Sequence, residues 1–185
     1  TKFFKLLFHD CLLIFFKIVN QKRYLKMFKN VSSLPELIFR AYDIRGIVPV
    51  DLNQDVVFNI GLAFGTKARE LGESQVAIAR DGRLSGPSLL QALENGVLAS
   101  GCNVLNIGAV PTPVLYFAAK QHTNGTGIML TGSHNPADYN GLKMTIANNT
   151  LANEEILELR DFIKNGNYST GTAKTVFKDV ANEYV

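Results

Sequence analysis

The sequence predicts an α/β fold: a three-layer domain with a mixed, mostly parallel sheet between helices. Short apolar runs such as Val76-Ala77-Ile78-Ala79 and Gly127-Ile128-Met129-Leu130 suit strands covered on both faces. Stretches with apolar residues at three-to-four spacing separate them, and glycines such as Gly72 and Gly166 close those stretches. Strands alternating with helices of three to five turns are what a doubly covered sheet requires.

Taken in order, residues 1–26 stand apart. They hold Phe3-Phe4, Leu6-Leu7-Phe8 and Cys11 to Phe16, broken by Lys5, His9, Asp10 and Lys17. A spanning helix needs about 20 mainly apolar residues, and a signal peptide needs a small-residue cleavage site; neither pattern is met. The first methionine is Met27, so 1–26 reads as a doubtful N-terminal extension, upstream sequence rather than a membrane segment. The domain proper is expected over 27–166.

Ile38 to Tyr42 reads as a short strand running into a polar turn, Asp43-Ile44-Arg45-Gly46. Asn53 or Asp51 can cap a helix over about 53–71, with Val56, Val57, Ile60, Phe64, Ala68 and Leu71 on its buried face. After the strand Val76–Ala79 comes a loop, Arg80-Asp81-Gly82-Arg83. Ser85 then caps a helix to about Ser100, with Pro87 in its first turn. Val104–Ile107 is the next strand, and Pro113 opens a short helix. Gly127–Leu130 leads into a polar turn, and Leu142–Ile146 returns beside it. Asn153 caps a last helix with acids in its first turn and Lys164 near its end, as the helix dipole favours. Residues 167–185 read as a linker and the start of a further element, as if the chain stopped at a domain boundary.

Composition narrows the function. Of 185 residues, 46% are hydrophobic and 19% charged, the profile of a globular domain. The net charge of +3 is uneven: residues 1–26 carry +5 and the rest −2. The body is mildly acidic, which argues against nucleic acid as a partner. Two cysteines without a Cys/His cluster argue against a disulfide framework or a zinc site, and for a reducing compartment.

The chemistry concentrates in Thr131-Gly132-Ser133-His134-Asn135-Pro136, continuing through Asp138-Tyr139-Asn140-Gly141 to Lys143. A serine just past the carboxyl end of a strand sits where open α/β sheets present ligands. Its hydroxyl is a weak nucleophile unless a base or strong field helps. His134 is adjacent in sequence, and adjacent loop residues generally point apart. The Gly-x-Ser-x-Gly elbow is absent, with Asn135 at the second glycine's place. His122 reads as a surface residue and His9 lies in the extension, so a hydrolase triad is poorly supported. A phosphate on Ser133, bearing about −1.5 to −2 charges and held by loop N–H groups, Lys143 and a divalent cation, fits better. The residue types alone fit a plain surface turn equally well. Arg45, Arg80 and Arg83 follow predicted strands and suit phosphate oxygens, while Asp43 and Asp81 offer them ordinary ion-pair partners.

Three segments in this order, Phe39 to Gly46, Arg80 to Arg83 and Thr131 to Lys143, resemble the α-D-phosphohexomutases over about residues 30–185. The likeness is strongest to the bacterial phosphomannomutase/phosphoglucomutase group, whereas the first and third segments depart from the phosphoglucosamine mutases. The resemblance implies four domains around a central cleft, this chain matching the first. It implies that Ser133 is a phosphoserine exchanging phosphate with a hexose phosphate substrate through glucose or mannose 1,6-bisphosphate, which also serves as activator. It further implies Lys143 as the main proton-handling group, Arg45 as electrostatic support, His134 as a positioning residue, and Tyr42 and Asn135 as substrate-binding. Mg²⁺ would touch the Ser133 phosphate, its main ligands coming from an aspartate-rich loop of a second domain that these residues do not contain. A cytoplasmic enzyme with no membrane partner is expected, its remaining domains being needed for turnover. A non-catalytic phosphosugar-binding module of the same fold is the alternative.

Overall fold

The computed structural model describes residues 34–185, so the reading of 1–26 lies outside the described residues. A 3₁₀ turn, Glu36–Ile38, leads into β1 (Ile44–Ile47). Then follow α1 (Gln54–Glu70), β2 (Gln75–Arg80), α2 (Gly86–Ala99) and β3 (Asn103–Ala109). Next come α3 (Thr112–His122), β4 (Gly127–Leu130), β5 (Tyr139–Ile146) and β6 (Asn149–Thr150). Last are α4 (Glu154–Asn165), β7 (Thr175–Phe177) and α5 (Ala181–Tyr184).

The sheet runs β1-β5-β4-β2-β3-β7, with β6 also on β5. β4, β2, β3 and β7 are mutually parallel, and β5 is antiparallel to β4, β1 and β6. Among the described residues β5 alone therefore runs against the rest, so the sheet is mixed and mostly parallel. Alternation along each strand sends side chains to opposite faces. Val76 and Ile78 join one core with α1, α2 and α4, while Ala77, Ala79 and Met129 join a second core with α3. Helices thus cover both faces.

Local chemistry explains the helix limits. Asn53 accepts from Val56 N at 3.0 Å and caps α1. Asp51, the other candidate, instead accepts from Ile47 N. Leu71, placed on the buried face by its spacing, is 59% exposed; it lies past the last helical turn, where the chain leaves the helical line at Gly72, φ 84°. Pro87 lies in the first turn of α2, yet Ser85 makes no capping bond. Its Oγ accepts from buried Asn140 Nδ2 at 2.9 Å, joining α2 to β5. Asn153 likewise makes no side-chain cap; Glu155 receives Ala152 N instead.

The first segment is shifted from expectation. Residues 36–38 form the 3₁₀ turn, Phe39 makes a single bridge to Ile44, and the strand occupies Ile44–Ile47, taking in Ile44 to Gly46 of the expected turn. Pairing decides this: Ile44 stands opposite Leu142 and both are buried. Beyond residue 166, β7 lies parallel to β3 through Val104–Thr175 and Leu105–Val176, so the sheet draws on the segment that had read as a linker. No helix among the described residues is long and apolar enough to cross a membrane.

Candidate functional site

The strand β4 ends at Leu130 and β5 begins at Tyr139, so residues 131–138 form a loop at the carboxyl edge of the sheet. Two aspartates anchor its surroundings. Asp81, just past β2, accepts through Oδ2 from Thr131 Oγ1 at 2.8 Å and Gly132 N at 3.1 Å. Its Oδ1 accepts from Arg83 N at 3.0 Å, and Oδ2 lies 3.3 Å from Arg83 Nε. One carboxylate thereby ties the loop after β2 to the loop after β4.

Arg83 extends that tie. Its Nη2 donates to Ser133 O at 3.2 Å and Asn135 O at 2.8 Å, and its Nη1 to Tyr139 O at 2.9 Å and to Pro136 O. Gly132 accommodates the guanidinium, for a Cβ there would overlap it. Hydrogen bonds from a charged donor contribute about 1.5–3 kcal/mol each, so Arg83 is a main restraint on this loop's shape. The ion pair with Asp81 was one of the two readings of Arg83; its grip on the serine loop is the part that spacing did not reveal. Arg80 turns elsewhere, donating to Asp81 O at 2.9 Å.

Ser133 is exposed, with φ 52°. A non-glycine residue in the left-handed region is uncommon and persists where the surroundings over-determine it. Here Ser133 N donates to Thr131 Oγ1 at 2.9 Å while Ser133 O is held by Arg83. His134, next along, is exposed. Asn135 Nδ2 donates to Gly132 O at 2.8 Å, and its Oδ1 accepts from Arg45 Nη1 at 3.4 Å.

Arg45 and Lys143 come from β1 and β5. Ile44 and Leu142 pair and point into the α1 core, so by alternation Asp43, Arg45 and Lys143 take the opposite face, the α3 side. Asp43, 7% exposed, binds both cations through Oδ2: Arg45 Nη2 at 2.6 Å and Lys143 Nζ at 3.4 Å. A chain of contacts thus runs from Lys143 through Asp43, Arg45 and Asn135 to Gly132, beside Ser133. Tyr42 lies apart, 70% exposed on the bend before β1. His122 is not a free surface residue: its Nε2 lies 2.9 Å from Glu183 on α5 and 3.3 Å from Lys178. The Lys178 hydrogen bond, and to a lesser degree His122, hold the Glu183 carboxyl below its usual range.

The assembly presents an exposed serine on a restrained loop that is linked through Asn135 to Arg45 and through Asp43 to Lys143, an arrangement suited to anion chemistry. It does not by itself suit Mg²⁺. Among the described residues no three His, Cys, Asp or Glu side chains gather as a metal site; both oxygens of Asp81 take hydrogen bonds, and Oδ2 of Asp43 takes two cations.

Comparison with known proteins gives a consistent result. Residues 36–169 match the model of the phosphoglucomutase/phosphomannomutase α/β/α domain I. The chain is 48% identical over 151 residues to a phosphomannomutase/phosphoglucomutase of Pseudomonas syringae pv. tomato, covering 82% of this chain and 32% of that protein. It is 48% identical over 157 residues to a phosphoglucomutase of Neisseria meningitidis serogroup B, covering 84% and 34%. A crystal structure of a phosphoglucomutase/phosphomannomutase family protein from Burkholderia thailandensis superposes with a TM-score of 0.80 at 42% identity, covering 82% and 35%. The chain thus spans about a third of the length of the relatives it matches.

Proposed function

We propose, from the premise that this chain belongs to the phosphoglucomutase/phosphomannomutase family through its α/β/α domain I, that Ser133 is the phosphoryl carrier of a hexose phosphomutase. The observation that carries this reading is the exposed Ser133 at φ 52° beside Asn135, which is bonded to Arg45.

In the proposed step a hydroxyl oxygen of a hexose monophosphate, glucose or mannose, attacks the phosphorus carried on Ser133. The sugar O–P bond forms, the Ser133 Oγ–P bond breaks, and the proton lost by the sugar hydroxyl equals the one regained by Oγ. Lys143 carries that proton between the two oxygens. Arg45 faces the charge on the phosphoryl oxygens, which spreads in a loose transition state. His134, exposed next to Ser133, orients the incoming hydroxyl, and Tyr42 and Asn135 contact the sugar phosphate. The resulting 1,6-bisphosphate returns its other phosphate to Ser133 by the same chemistry reversed. The same bisphosphate activates the enzyme by loading an empty serine. The nearby carboxylates Asp43 and Asp81 are paired with Arg45 and Arg83. Mg²⁺ at the Ser133 phosphate would take its principal ligands from the remaining domains, with which this domain works, and the chain alone turns over little substrate. A cytoplasmic setting belongs to the same reading and agrees with the free buried thiol of Cys102.

Incubating the purified chain with glucose 1,6-bisphosphate and measuring intact mass tests the proposal. One added phosphoryl group, mapped to Ser133 and lost in Ser133→Ala, is the expected result. Sugar phosphate binding without any adduct would instead assign the chain to non-catalytic phosphosugar-binding modules.

A further inference from the structure

The four carbonyl oxygens gathered by Arg83 have a consequence for the other side of the loop. In a trans peptide the C=O and the following N–H point in opposite directions. The Ser133 and Pro136 carbonyls turn toward the guanidinium, so the N–H groups of His134 and Ala137 point away from it. Among the described residues neither N–H meets a protein acceptor. The Asn135 carbonyl also turns inward, and the following residue, Pro136, has no N–H to present. The loop is therefore polarised, with carbonyl oxygens toward Arg83 and amides on the opposite side. Outward amides on successive turns form an anion-receptive surface, whereas outward carbonyls would repel a phosphate dianion.

We propose that Arg83 is a positioning residue for Ser133: it draws the loop carbonyls to one side, leaving an amide-lined face that receives the phosphoryl group. This rests on Ser133 being the phosphate carrier. Arg83 does not touch the phosphate; it acts through the backbone, and Asp81 holds its guanidinium in place. Lysine cannot substitute, since one ammonium lacks the planar fork that reaches four carbonyls at once.

The test compares wild type, Arg83→Met and Arg83→Lys as the full 185-residue chain. Loading of Ser133 from glucose 1,6-bisphosphate is followed by intact mass, and amide hydrogen exchange over 132–138 is measured beside it. With cooperative unfolding retained, Arg83→Met should lower the maximal loading rate about a hundred-fold. The half-saturating bisphosphate concentration should change by less than about two-fold, a split that general loosening of the domain would not give. Arg83→Lys should not restore the rate, and exchange of the Gly132, Ser133 and Asn135 amides, which are hydrogen-bonded within the loop, should rise in both variants. Unchanged loading in folded Arg83→Met, full recovery in Arg83→Lys, or unchanged exchange would each overturn the proposal. If the wild type takes up no phosphate, the carrier role of Ser133 falls, while the exchange data still decide whether Arg83 sets the loop. Should Arg83→Met fail to fold, Arg83→Lys decides by the same two readouts.

Discussion

Asp43 and Lys143 stand 100 residues apart in sequence and meet through Oδ2 and Nζ at 3.4 Å. The same oxygen takes Arg45 Nη2 at 2.6 Å, so a single buried carboxylate sets the spacing of both cations beside the serine loop. Asp43→Asn keeps the shape and removes the charge. It should cost about 1–3 kcal/mol of stability, by weakening two charged hydrogen bonds, and slow phosphate loading of Ser133 about ten-fold. Urea unfolding and intact-mass kinetics measure the two effects, and loading at the wild-type rate would show that the cations need no such organiser.

Gly132 is the residue against which the Arg83 guanidinium lies, and a Cβ there would overlap the Cζ and Nε atoms. Gly132→Ala should therefore displace Arg83, destabilise the domain by about 1–3 kcal/mol and suppress Ser133 loading. Thermal unfolding and the loading assay report on these together. A variant with wild-type loading would mean that the guanidinium shifts without consequence.

The α1–α2 contact is equally tight. A Cβ on Gly96 would overlap the Phe58 carbonyl oxygen and approach Leu62 N to 2.9 Å. Both are backbone atoms and cannot swing aside, so Gly96→Ala should cost about 1–3 kcal/mol or more even though alanine favours helix. Chemical denaturation gives the sign directly: a stabilised variant contradicts this packing.

Cys102 is buried and its thiol is pushed up to about 11, chiefly by burial. In the native state at pH 8 the Cys102 peptide should resist iodoacetamide, and it should react once the chain is unfolded. The folded-state pKa lies above the unfolded one, so the linked stability is fully present below about pH 8.5 and is lost as pH rises through 11. Peptide mapping after a pH series of alkylation, together with unfolding midpoints across that range, checks both statements.

Much of the architecture was legible in order. The run Gly127–Leu130 is a strand with those same limits, and helices follow Asn53, Ser85 and Asn153. Hydrophobic period and terminal glycines are local signals, so they survive without tertiary knowledge. The failures are instructive for the same reason. Ser85 sits in the capping position, yet its hydroxyl serves Asn140, a partner 55 residues away. Ile44 to Gly46 read as part of a turn by residue type and lie in a strand because β5 pairs beside them.

The sequence by itself determined where Ser133 stands: it follows a fully buried strand, and a short polar loop after such a strand has to surface at the sheet edge. Only the tertiary structure decided what surrounds it. Arg83 was one of several arginines after predicted strands, and its partners became identifiable once β2 and β4 proved to be neighbours. Asp43 joins Lys143 to Arg45 because β5 turns back between β4 and β1. A guanidinium or carboxylate chooses its partners by distance in space, and strand order supplies that distance.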